Sequence, residues 1–227
     1  MSLKRPAMIL IDLDGTLIDS VPDLAWSVDA MMRELGLPER GEAAVRNWVG
    51  NGVERLVQRA LVNDLDGEPD PDLYQRALPV FMRIYQENTA GRSPLYPGVR
   101  EGLDRLKAEG YRLGCVTNKA GCFTRPLLAE KGILDDFEIV VAGDDLEKKK
   151  PDPEPLWYAA RELGVKPEDS LMVGDSKSDV KAARAAGFQI VCMTYGYNHG
   201  DDIRDQNPDA VLDRLDELPG RLPARAA

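Results

Sequence analysis

One histidine, His199, stands in the 227 residues, with no cysteine or second histidine at a metal-ligand spacing from it. That scarcity argues against zinc chemistry. The three cysteines, Cys115, Cys122 and Cys192, are odd in number and form no C-x-x-C pair. Cys115 and Cys192 lie in apolar runs and read as reduced, buried thiols of a cytosolic protein. Basic excess is also missing: the formal charge is −10, which argues against nucleic acid or an anionic membrane as a partner. No apolar run approaches a membrane span, and Lys4 and Arg5 precede too short an apolar stretch for a signal peptide, so a cytoplasmic location is expected. The chain has no G-x-x-x-x-G-K-[ST] loop and no Ser-His-Asp arrangement, which disfavours a P-loop enzyme. Internal repeats and low-complexity segments are absent as well.

What is present is a globular composition, 43% hydrophobic and 30% charged, on a length suited to one core domain carrying a smaller insert. Met8-Ile9-Leu10-Ile11 does not alternate, which predicts a strand buried on both faces. Leu24, Val28, Met31 and Leu35 then fall at helical spacing, between Pro22 and the stop signals Gly36 and Pro38. Further helical stretches carry Val45, Trp48 and Val49, then Val53, Leu56, Val57, Ala60 and Leu61, then residues 72–88, with no strand signal between them. Past the Pro- and Gly-rich loop at 91–98 the rhythm changes. Strand-like runs at 111–117, 137–143, 170–175, 188–194 and 210–212 alternate with helices at 98–109, 124–131, 153–163, 178–186 and 213–218. Such alternation predicts an α/β fold, a Rossmann-like parallel sheet covered by helices on both faces. The core is discontinuous, residues 1–19 and 91–227, and is interrupted by a small α-helical domain at 20–90. The tail from Leu218 is expected to fray.

Ligands of open parallel sheets bind at the carboxyl ends of the strands, so the residues that follow each run are informative. Asp12 and Asp14 follow the first, Thr117 and Asn118 the second, Lys150 lies beyond the third, and Gly174, Asp175 and Asp179 follow the fourth. Asp12 and Asp14, two apart, project to one side, and Gly15 permits a sharp turn. An isolated D-x-D-G is equally an Asx turn closing a strand. Asp175 and Asp179 likewise suit the first turn of a helix. Convergence of all these groups on one edge favours a site.

Three carboxylates at ~4 Å would cost about 4 kcal/mol per pair at an effective dielectric near 20 unless a cation joins them. Oxygen-only ligands indicate Mg²⁺. A metal also explains how an acidic chain could hold a phosphate. Thr16, Thr117 and Asn118 can supply neutral donors, and Lys150, anchored by Pro151, a compact positive charge. With phosphate at Asp12 the carboxylate itself can attack, forming an aspartyl-phosphate, and Asp14 can move the protons.

The phrases "DLDGT", "VTN", "KP" and "VGDSKSD" stand in the order and spacing of the four motifs of the haloacid dehalogenase-like hydrolases, and the chain resembles that superfamily. The resemblance implies a Mg²⁺-dependent phosphohydrolase with a helical cap. It makes Asp12 the nucleophile and Asp14 the acid and base. It assigns the metal to Asp12, the main-chain carbonyl of Asp14 and Asp175, with Asp179 in support, and the phosphate to Thr117 and Lys150. "DGTLIDSVPDL", "WVGNGVERLVQRAL", "LYPGV", "KKKPDPEPL" and "TYGYN" resemble the bacterial phosphoglycolate phosphatase branch, which implies 2-phosphoglycolate as the small phosphorylated substrate. Gly50, Asn51, Gly52 and Arg55 become candidates for a substrate-facing cap loop, though "GNG" is as good a plain helix–helix turn. A monomer or homodimer is expected. Rival readings are another small ester such as an amino-sugar 6-phosphate, or a phosphomutase, which Thr16 disfavours. A phosphonate-cleaving relative would want a lysine in the cap, and none stands between Ser20 and Ala90.

Overall fold

The computed structural model describes residues 3–224. Six parallel strands form one sheet: β1 (Met8–Ile11), β2 (Arg112–Val116), β3 (Ile139–Val141), β4 (Ser170–Gly174), β5 (Gln189–Met193) and β6 (Ala210–Leu212). Their spatial order is β3-β2-β1-β4-β5-β6. β1 is central, with Met8 opposite Arg112 on one side and Ser170 on the other. Every residue of β1 is buried, as its unbroken apolar run predicts. Ile9 and Ile11 join an apolar layer with Leu103, Leu106 and Leu127, whereas Met8 and Leu10 join one with Leu156, Ala159 and Ala183. Alternate side chains of a single strand thus feed both layers.

The covering helices are α5 (Val99–Ala108), α6 (Gly121–Glu130), α7 (Glu154–Glu162) and α8 (Lys177–Ala186). α6 begins three residues before the expected start because Asp144, far along the chain, accepts from the Gly121 N–H. α7 begins one residue late: Asp152 accepts from Glu154 N across Pro153. The run expected as a helix over 213–218 is a 3₁₀ turn, Leu215–Glu217, followed by the short helix α9, Leu218–Arg221. The tail does not fray as its composition suggests. Leu218 and Leu222 pack into the sheet layer, and Arg5 donates to the carbonyl of Pro223; residues 225–227 lie outside the described residues. Cys115 and Cys192 are buried and free, and Cys122 is exposed.

Between β1 and β2 the chain forms four helices: α1 (Val21–Glu34), α2 (Glu42–Trp48), α3 (Val53–Val62) and α4 (Pro71–Gln86). They share their own apolar cluster, with Leu24, Val28, Met31, Val45, Leu56, Phe81 and Tyr85 inside it. Phe123 and Tyr197 enter that cluster from the sheet side. The two connections to the sheet region run side by side, with Asp19 N bonded to Pro94 O at 3.0 Å and Tyr96 N to Leu17 O at 3.1 Å. Asp23, fully buried on α1, secures the return strand by accepting from Arg92 N at 2.9 Å and Ser93 Oγ at 2.6 Å. Among the described residues no helix is long and apolar enough to cross a membrane.

Replacing Asp23 by Ala strips a buried N–H and a buried hydroxyl of their acceptor. The expected cost is about 2–4 kcal/mol, read as a lowered midpoint in urea unfolding; Asp23→Asn, which keeps one acceptor, is expected to lose less.

Candidate active site

The strand order reverses at β1, whose neighbours β2 and β4 lead to connections on opposite sides, and this opens a crevice at the carboxyl ends. Asp12 continues β1 by donating its N–H to Val173 O at 2.9 Å. Its Oδ1 accepts from Leu13 N at 2.8 Å and lies 2.9 Å from Lys150 Nζ. Gly15, at φ +87°, turns the chain away. A Cβ there would lie 2.4 Å from Asp175 Oδ2, so only glycine lets the turn approach that carboxylate.

Asp175, at the end of β4, accepts from Thr16 Oγ1 at 2.7 Å and from Tyr197 N at 2.6 Å. Thr16 is therefore not a group facing the phosphate pocket, as the sequence suggests; it is buried and orients Asp175. Asp179 serves both of its readings. One oxygen accepts from Ser176 N and Oγ in the capping box that opens α8, and the other takes Lys150 Nζ at 2.7 Å.

Asp12, Asp175 and Asp179 each offer a carboxylate oxygen, and the three lie within 4.8 Å of one another. At that spacing each like-charge pair costs about 3 kcal/mol at an effective dielectric near 20. Burial, opposed by Lys150, pushes the Asp12 carboxyl up to about 7. Burial, with Asp179 and Asp12 beside it, holds Asp175 well above the usual carboxylate range. Lys150 balances only part of this charge. Its Nζ bonds Val116 O and Asp179 at 2.7 Å and pairs with Asp12, which uses all three donors of an ammonium. The net charge of the cluster and its all-oxygen donor set fit a hard divalent cation.

Thr117 and Asn118 both line the pocket. Thr117 Oγ1 accepts from Lys119 N at 3.2 Å. The Asn118 side-chain amide is committed to Lys150 O at 2.8 Å, so it secures the lysine loop and does not offer its N–H₂ to a ligand by that bond. Of the cap-loop candidates, Gly50 and Gly52 line the pocket, together with Leu24, Val49, Val53 and Leu56. Asn51 and Arg55 do not. Asn51 Oδ1 accepts from Arg59 at 2.9 Å, and Arg55 turns to Gln58, Glu68 and the carbonyls of Leu65 and Gly67.

Lys119 escapes the sequence reading. It is buried, its Nζ lies 3.2 Å from both oxygens of Asp14, and it donates to Tyr85 Oη on α4 at 2.6 Å. Burial works against its charge, but Asp14 and Tyr85 outweigh it and hold the ammonium above its ordinary pKa. The available signal was its nearness to the strand end, two residues past Thr117 in the bend that follows β2. Its partners, at separations of 105 and 34 residues, gave none.

The sequence matches the haloacid dehalogenase-like hydrolase family over residues 9–193. The chain belongs to that family. Over 220 residues it is 64% identical to a phosphoglycolate phosphatase of Nitrosococcus oceani, covering 97% of this chain and 98% of the relative. A phosphoglycolate phosphatase of Nitrosospira multiformis is 50% identical over 209 residues, 92% of either chain. The crystal structure of a predicted phosphoglycolate phosphatase from Haemophilus somnus superposes with a TM-score of 0.90 at 37% identity, covering 96% of this chain and 99% of the other. CbbY from Rhodobacter sphaeroides, crystallised in complex with phosphate, gives 0.71 at 26% identity, covering 94% and 96%. In this haloacid dehalogenase-like chain the acidic cluster, Lys150 and the pocket thus sit at the switch point of a family fold.

Because Lys150 pairs with both Asp12 and Asp179, Lys150→Met leaves buried charge unpaired. The expected loss is about 3–5 kcal/mol of stability, measured by urea unfolding at neutral pH and low divalent ion.

Proposed function

We propose that the protein is a Mg²⁺-dependent phosphatase that hydrolyses 2-phosphoglycolate to glycolate and phosphate through an aspartyl-phosphate. The observation that carries this reading is the Asp12 carboxylate at the end of β1, held by Lys150 with the Asp14 carboxylate in the same pocket. Relatives named phosphoglycolate phosphatase, matched over nearly the whole chain, support the substrate.

The phosphoryl group is expected between Asp12, Thr117 and Lys150. Asp12, fixed by the Leu13 N–H and the Lys150 ammonium, attacks phosphorus, and the bond to the ester oxygen breaks. Asp14 gives its proton to the leaving alkoxide, then takes one from the water that cleaves the acyl phosphate. Lys150 keeps its charge beside the transferring oxygens throughout. Asp12, Asp175 and the main-chain carbonyl of Asp14, supported by Asp179, would hold Mg²⁺, which when bound would neutralise the carboxylates and polarise the phosphate. Helices α1–α4, residues 20–90, act as the cap, with Gly50 and Gly52 closing over the pocket.

Purified protein assayed with Mg²⁺ on 2-phosphoglycolate, hexose phosphates and pyrophosphate tests the reading. Activity is expected to be highest on 2-phosphoglycolate, to vanish with a chelator and to return with Mg²⁺. Asp12→Asn is expected to lose about 10⁴-fold or more in kcat. A fully active Asp12→Asn enzyme overturns the nucleophile, and equal rates on hexose phosphates overturn the substrate.

A further inference from the structure

Lys119 has no task in the phosphoryl-transfer steps above, yet it is a buried ammonium in the wall of the same pocket. Six ionic side chains line that pocket: Asp12, Asp14, Asp175 and Asp179 against Lys119 and Lys150. Lys150 has no donor left, since Val116 O, Asp179 and Asp12 take all three. The arginines nearby on α3 are turned elsewhere: Arg55 to the 65–68 loop, Arg59 to Trp48 O, Leu65 O and Asn51. Among the described residues that line the pocket, Lys119 is thus the cation left for a second negative charge on a ligand.

Its present bonds leave room for that role. Both contacts to Asp14 are 3.2 Å, longer than the 2.7–2.9 Å of a well-formed charge-assisted bond. The short bond, 2.6 Å, runs to the Tyr85 hydroxyl, which anchors the ammonium on the cap side. Of the other lining residues, Leu24, Val49, Val53 and Leu56 are apolar and the rest are neutral or acidic, so none but Lys150 carries a second positive charge. Position matters as much as charge. In the proposed reaction Asp14 faces the ester oxygen, and Lys119 pairs with Asp14, so a carboxylate one carbon beyond that oxygen would come within reach of Lys119.

We propose that Lys119 determines specificity by pairing with the carboxylate of a phosphate ester whose acid group sits one carbon from the ester oxygen. The inference rests on the phosphatase reading and deepens it. Tyr85 holds the lysine from α4, so the residue that recognises the tail also ties the cap to the core.

The test compares kcat/KM on 2-phosphoglycolate and on ethyl phosphate, in which a methyl replaces the carboxylate. Wild-type protein is expected to prefer 2-phosphoglycolate strongly. In Lys119→Met both substrates slow, because Asp14 loses its partner, but the preference collapses by about a hundredfold, chiefly through KM for 2-phosphoglycolate. Lys119→Gln, which can still bond Asp14 and Tyr85 without a charge, is expected to show the same collapse and guards against misfolding of the methionine variant. If both variants slow on both substrates by the same factor and keep the wild-type preference, Lys119 acts only through Asp14 and this proposal falls alone. A wild-type enzyme active on both substrates without preference overturns the substrate reading and takes this one with it.

Discussion

Three carboxylates packed around one lysine at the centre of a sheet govern the rest of the structure. Asp12, Asp175 and Asp179 share a space in which like charges repel strongly, and Lys150 reaches only two of them. Such a cluster persists only if other groups hold it in place. The capping box of α8 grips Asp179, Thr16 and the Tyr197 N–H grip Asp175, and the Leu13 N–H grips Asp12. Each is a hydrogen bond to the charged form, the kind that favours ionisation and opposes the effect of burial. The scaffold thus accepts a standing electrostatic cost at one point, and that cost is what a divalent cation can relieve.

The sheet supplies the rigidity. β1, β2 and β4 are buried nearly throughout and pair in strict parallel register, so their carboxyl ends are fixed relative to one another. Close approach then depends on residues without side chains. Gly15 and Gly196 both abut Asp175, and a Cβ at Gly196 would lie 2.1 Å from its Cβ. The acidic cluster is as much a packing solution as an electrostatic one.

How much of this was legible in sequence follows from the range of each interaction. β1 and the helices of the insert were readable because an unbroken apolar run or a helical period is local. The strand-end logic located Asp12, Asp14, Thr117, Lys150 and Asp175 because parallel topology alone brings those ends together. Roles set by a distant partner were not readable. The Thr16 hydroxyl reaches Asp175, and one N–H of the Asn118 amide holds Lys150 O, partners that no local pattern announces. Asn51 and Arg55 became candidates through the resemblance of the cap phrase, yet Arg55 bonds the 65–68 loop and Asn51 accepts from Arg59, partners that the phrase does not reveal. Lys119 was passed over because its pairing with Asp14 has no local signature. The tail was misjudged for a related reason: its composition is that of a frayed end, but Leu218 and Leu222 find a place in the sheet layer.

Two chains of contact join the helical insert to the acidic cluster, and their arrangement bears on how closure and chemistry are linked. One runs from Tyr85 on α4 through Lys119 to Asp14. The other runs from Arg46 on α2 to Asp19, from Asp19 to the Tyr197 hydroxyl, and from the Tyr197 N–H to Asp175. Arg46 also lies over the Tyr197 ring at 5.5 Å, so this corner is held by charge, hydrogen bond and stacking together. Tyr197 itself is buried in the apolar cluster of the insert although it belongs to the loop after β5. Moving the insert away from the sheet would therefore strain the supports of Asp14 and Asp175 simultaneously. Asp14 and Asp175, to which the proposed reaction gives proton transfer and metal binding, are both oriented by groups tied to the insert. Closure of the helical insert needs no separate signal, because the contacts that join it to the sheet are the ones that hold Asp14 and Asp175 in place.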